Sequence, residues 1–131
     1  NKPITIKVND ASGIAEAAYR KDSAAVVSFD LTQTLKKNGT YTVTAKDYYG
    51  NEAVKTFTIK DTKKPTVSGV KNGKTYIGAK VVKFKDNCGI AKATLNGKKI
   101  SSGKKISKKG SYKLVVTDIN GLKTIVSFKI K

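Results

Sequence analysis

"NGTYTVTAKDYYGNEAVKTFTIK" (38–60) occurs twice in this chain of 131 residues, the second time as "KGSYKLVVTDINGLKTIVSFKIK" (109–131). Gly39, Tyr41, Asp47, Gly50, Phe57 and Ile59 recur as Gly110, Tyr112, Asp118, Gly121, Phe128 and Ile130, at a constant offset of 71. Apolar residues fall at every second position: Tyr41, Val43 and Ala45, then Phe57 and Ile59; Tyr112, Leu114 and Val116, then Val126, Phe128 and Ile130. A period of two belongs to a strand with one buried face. "KDYYGN" and "TDINGL" place Asp and Gly between the runs, as a tight reversal requires. Each copy therefore reads as an antiparallel pair.

The repeat extends upstream. "IKVNDASGIAEA" (6–17) matches "VKFKDNCGIAKA" (82–93) at an offset of 76, so the first copy holds five additional residues, expected within 20–34. Ile4, Ile6 and Val8, and Val27, Phe29 and Leu31, continue the strand alternation, as do Val82 and Phe84. "IAEAAYR" (14–20) has a weak helical pattern, but its second copy "IAKATLN" runs into Asn96-Gly97, a strong hairpin signal, so both read as strand. Short strands with turns every eight to twelve residues predict an all-β chain of two tandem β-sandwiches, residues 1–60 and 61–131. "DTKKPT" (61–66) joins them, with Pro65 suited to a linker or an edge. The first copy has no counterpart of "PTVSGVKNGKTY" (65–76), so it is expected to lack its N-terminal strand or strands and to leave a bare edge. The chain opens inside the strand-like "PITIKV" (3–8), which reads as a piece of a longer protein.

Charge divides the copies. The chain carries 27 Lys and Arg against nine Asp and Glu, a net +18. Residues 1–60 contribute +3 and residues 61–131 contribute +15, with Arg20 the only arginine. Such a field attracts polyanions and opposes self-association. No apolar run is long enough for a transmembrane helix in this piece.

The residues argue against catalysis. There is no His, so the single Cys88 has no imidazole to activate it, and its repeat partner is Ser12. A substituted turn serine, open to adventitious disulfide formation in air, is the expectation. No metal site is expected: zinc is excluded on ligand count, and Asp10, Asp47, Asp86 and Asp118 are spread along the chain as turn residues. Paired carboxylates and a phosphate-cradling loop are not recognisable either. No catalytic residue and no cofactor are assigned. Lys98, Lys99, Lys104, Lys105, Lys108 and Lys109 crowd one region of the second copy and are the candidate polyanion-binding residues. Specific nucleic-acid recognition is not expected, since one Arg and few aromatics leave little for base readout or stacking.

The entry "DTKKPT" (61–66), the turn Asp86–Gly89–Ile90, the hairpin Gly110–Tyr112–Asp118–Gly121 and the closing Phe128–Ile130 resemble bacterial Ig-like domains found in tandem in extracellular proteins of Gram-positive bacteria. Asp10, Ser12, Gly13, Ile14, Gly39, Tyr41, Asp47, Gly50 and Asn51 carry the same pattern in the first copy. Cys88 and Leu122 depart from it, standing where Ser and Asn are usual, with no site attached to either. The resemblance implies a secreted or cell-surface location. It also implies a non-catalytic spacer, stalk or accessory role beside adjacent domains of an adhesin or an extracellular hydrolase. The alternative is an electrostatic module that uses the lysine-rich second domain on anionic cell-wall polymers or glycans.

Overall fold

The computed structural model describes residues 2–131. The chain divides into two compact units, unit 1 running to Asp61 and unit 2 from Thr62 to Lys131. Unit 1 holds β1 (Ile4–Lys7), β2 (Ile14–Lys21), β3 (Val27–Ser28), β4 (Thr32–Leu35), β5 (Gly39–Asp47) and β6 (Glu52–Ile59). Unit 2 holds β7 (Thr66–Ser68), β8 (Lys74–Tyr76), β9 (Lys80–Lys85), β10 (Ile90–Leu95), β11 (Lys98–Lys99), β12 (Lys104–Ile106), β13 (Gly110–Asp118) and β14 (Lys123–Ile130). The described residues contain no helix.

Each unit has two sheets, none closed. Unit 1 pairs β1 with β4 and orders the other sheet β3-β2-β5-β6; unit 2 orders its sheets β12-β9-β7 and β11-β10-β13-β14-β8. The repeat at offset 71 is a repeat of register. Tyr41 faces Phe57 across β5 and β6, and Tyr112 faces Phe128 across β13 and β14. These rings stack at 5.8 Å and 5.3 Å. Both "IAEAAYR" and its second copy form strands, and Asn96 and Gly97 have φ of 49° and 82°, as a tight two-residue hairpin demands.

The five additional residues of the first copy lie in one loop. Tyr19 faces Val27 across β2 and β3, whereas Leu95 faces Lys98 directly across the Asn96-Gly97 turn. The expected interval 20–34 thus narrows to the β2–β3 connection. The expected strand through Val27, Phe29 and Leu31 is shorter than its alternation implied. It stops at Ser28, and Val27 and Leu31 are 46% and 56% exposed. Phe29 N still donates to Ala17 O, after which the chain crosses to the other sheet to pair as β4 with β1.

The segment unique to unit 2 explains the difference between the two cores. β7 pairs with β9 and β8 pairs with β14, while the corresponding flanks of β1 and β6 carry no strand among the described residues. Val70, between β7 and β8, is buried in a cluster with Val82, Ile106, Leu114, Val116 and Phe128, which joins both sheets of unit 2. In unit 1 the cluster is Leu35, Tyr41 and Ile59. Where unit 2 buries Val126, unit 1 has the exposed Lys55. A smaller apolar core removes less surface from water and stabilises less.

Candidate functional site

The acids of the repeat are engaged by their own turns. Asp47 Oδ1 accepts from Tyr49 N and Asn51 N, both at 2.8 Å, and Asp118 Oδ1 accepts from Asn120 N at 2.7 Å and Leu122 N at 2.9 Å. Asp10 Oδ2 accepts from Ser12 N at 2.7 Å, and Asp86 Oδ2 from Cys88 N at 2.8 Å and Gly89 N at 3.2 Å. A carboxylate oxygen that takes turn amides organises backbone, although Asp86 is also brought together with Asp61 and Cys88, their carboxylate and thiol atoms within 4.8 Å of one another.

One substitution breaks the symmetry of these turns. Asn51 Nδ2 donates to the second oxygen of Asp47 at 2.8 Å. Leu122 occupies the aligned position in unit 2 and has no side-chain amide to offer. Asp118 is only 1% exposed, and its Oδ2 has no hydrogen-bond partner. Leu122 therefore bears directly on a buried carboxylate, although the sequence attached it to no site. A buried acceptor left unpaired costs about 1–3 kcal/mol. Leu122→Asn is expected to stabilise unit 2 by about 1 kcal/mol, raising its melting temperature by roughly 4–8 °C in a calorimetric scan. An unchanged or lower transition would show that Asp118 draws nothing from an amide at 122.

The same amide acts on charge in unit 1. The Asn51 side chain, foremost, holds the Asp47 carboxyl below the ordinary carboxylate range; burial opposes it, and the turn amides add to it. A depressed folded-state pKa means that this carboxylate's contribution is complete above the unfolded-state pKa. It fades as the pH falls through the folded-state value.

Cys88 is 2% exposed, whereas its repeat partner Ser12 is exposed. The expectation of a turn thiol open to aerial disulfide formation is thereby corrected, because exchange requires access to the sulfur. The backbone role of the position is unchanged: Cys88 N caps Asp86 as Ser12 N caps Asp10.

The six candidate lysines are distributed over three segments. Lys98 and Lys99 form β11, one of the two outer strands of the five-stranded sheet. Lys104 and Lys105 lie on β12, one of the two outer strands of the three-stranded sheet, facing Val82 and Val81. Lys108 and Lys109 lead into β13, and Lys108 O accepts the Tyr112 hydroxyl at 2.6 Å. Lysine on an edge strand discourages further strand pairing.

The sequence reading did not single out a shallow depression of about 410 Å³ on unit 2, lined by Lys74, Thr75, Ser111, Lys113, Ser127 and Lys129 among others, with no acid in its lining. The signal was present as Lys at alternate positions opposite the apolar ones, but only strand pairing shows that these residues meet. No protein-family model matches the chain, and no curated protein matches it.

Proposed function

We propose that the chain is a non-catalytic structural module. On this reading it comprises two tandem Ig-like sandwiches of a bacterial extracellular or cell-surface protein, and it spaces the domains on either side of it. The carrying observation is the path of the chain through unit 2. Thr124, near the start of β14, donates its hydroxyl to Pro65 O at 2.6 Å, and past the other end of β14 Lys131 N donates to Tyr76 O at 2.9 Å. The polypeptide thus enters beside one end of β14 and leaves at the other, about 20 Å away at roughly 3.3 Å per residue. In unit 1, β1 begins opposite Leu35 and β6 ends opposite Gly39, so both lie toward one end. The crossing belongs to the additional segment of unit 2.

The Ig-like assignment has its own support. Tyr41 donates its hydroxyl to Lys37 O at 2.8 Å, and Tyr112 donates to Lys108 O, each four residues upstream. A tyrosine near the start of a strand that ties down the preceding corner is a recurrent feature of such sandwiches. The Gram-positive surface location rests on the resemblance of the sequence motifs.

Pulling on the ends of the chain tests the spacer role. Load applied through Pro65 and Lys131 runs along β14 and shears its ladders, so unit 2 is expected to resist and then open in one event. The gain in length is roughly 200–220 Å, from about 3.3–3.6 Å per extended residue less the folded span. Extension at low force without a discrete event would end this reading.

A further inference from the structure

The outer face of the β11-β10-β13-β14-β8 sheet has a counterpart of neutral charge in unit 1. Strand register gives a residue-by-residue comparison. In unit 1, Glu16 faces Lys46 and Lys46 faces Glu52, an alternating row of charges across β2, β5 and β6. Lys46 Nζ lies 3.9 Å from Glu52 Oε2. The aligned row in unit 2 is Lys92, Thr117 and Lys123 across β10, β13 and β14. Both acids have become lysine and the central lysine has become threonine, so cross-strand compensation is lost.

The neighbouring rows change in the same sense. Thr42 and Thr56 face each other in unit 1; Lys113 and Ser127 do so in unit 2. Thr40 and Thr58 correspond to Ser111 and Lys129, and Lys129 also faces Thr75 of β8. Lys99, opposite Thr94, adds a lysine on the same side. Lys92, Lys99, Lys113, Lys123 and Lys129 are all exposed, and none has a salt bridge among the described residues. The unit 1 face balances Arg20 and Lys46 against Glu16 and Glu52; the unit 2 face carries five lysines and no acid. Solubility does not require five like charges on one face, since interspersed signs serve it as well.

We infer that this face of unit 2 is a binding surface for a linear anionic polysaccharide, with the depression around Lys113 and Lys129 as its central contact. The lysines supply point charges spaced along adjacent strands. The hydroxyls of Ser111, Ser127, Thr75, Thr94 and Thr117 supply donors and acceptors matched to sugar hydroxyls. The apolar members of the face are Val115 and Ile125; Tyr112 and Phe128, whose side chains alternate to the other side, stack on each other. Without an aromatic platform or an arginine fork, the face has no means of stacking on or reading bases, which favours a glycan over a nucleic acid. Of the six lysines that the sequence singled out, only Lys99 belongs to this face. The inference goes beyond a spacing role, and its failure would leave that role to be judged by the pulling experiment.

The test uses the whole chain and a sulfated polysaccharide, dextran sulfate, as probe. Lys92→Glu, Lys113→Thr, Lys123→Glu and Lys129→Thr together install the residues that unit 1 carries at the aligned positions. A control, Lys98→Glu, Lys104→Glu and Lys105→Glu, lowers net charge by the same amount at the edges. The face variant is expected to weaken binding about 10-fold or more at low salt and to flatten its salt dependence, with the edge control losing much less. The converse variant, Glu16→Lys, Thr42→Lys, Glu52→Lys and Thr58→Lys, is expected to strengthen binding by adding a second basic face. Equal losses in the face and edge variants would assign binding to the overall field and overturn the site. Undiminished binding by the face variant, or equal binding of uncharged dextran, would overturn it as well. Tighter binding of duplex DNA than of dextran sulfate at equal charge concentration would overturn the glycan class.

Discussion

Replacing Gly69 by alanine is expected to cost unit 2 roughly 3 kcal/mol or more and to free the β7 edge. Gly69 follows β7 with φ +89°, and a Cβ there would lie 1.8 Å from Val81 O and 3.0 Å from Val81 C. The obstacle is backbone, so no side-chain rotation relieves it. The chain must move away from β9, and with it Val70, which is buried in the core immediately after the glycine. Gly73→Ala is the matched control. Its φ is +77°, but no atom lies within 4 Å of an added Cβ, so only the local cost of about 1–2 kcal/mol applies. Urea unfolding followed by far-ultraviolet circular dichroism compares the two. Equal, small losses would show that the close approach of β7 to β9 carries no weight in unit 2.

Tyr41→Ala is expected to unfold unit 1 selectively. Tyr41 is buried with its ring 6.0 Å from Tyr19 and 5.8 Å from Phe57, and its hydroxyl holds the corner at Lys37. Truncating a buried aromatic costs about 3–5 kcal/mol. That is comparable with the whole stability of a domain near 60 residues, and the buried cluster of unit 1 contains only Leu35 and Ile59 besides Tyr41. Amide hydrogen exchange should show β2, β5 and β6 losing protection while β13 and β14 keep theirs. Tyr41→Phe retains the stack and gives up only the hydroxyl contact, at about 1 kcal/mol. Similar, mild effects from both variants would mean that unit 1 does not depend on this ring.

Turns and strand identities were legible because their causes are local. Asp before a Gly-containing reversal takes its own turn amides, and Asn-Gly adopts the two positive φ angles of a tight hairpin; neither requires a distant partner. The overreach at Phe29 and Leu31 has a tertiary cause. Alternation there was real, but the segment changes sheets after Ser28, and a period of two does not state which sheet a residue joins. The consequence of Leu122 was hidden for a related reason. A leucine beside a turn is unremarkable until the carboxylate that its asparagine counterpart would satisfy is known to be buried.

The sequence by itself determined that the chain is all-β, where its repeat lies, which residues form the reversals, and that positive charge is concentrated in the second half. These follow from side-chain period, turn stereochemistry and composition, each readable within a few residues. Only the tertiary structure decided which lysines share a face. Lys92, Lys113 and Lys123 are separated in sequence, and hydrogen-bonded register across three strands places them on one face. Meanwhile Lys98 and Lys104, closer together along the chain, are assigned to the edges of different sheets. Charge is counted along the chain, but binding depends on its density on a surface, and that density is set by strand pairing.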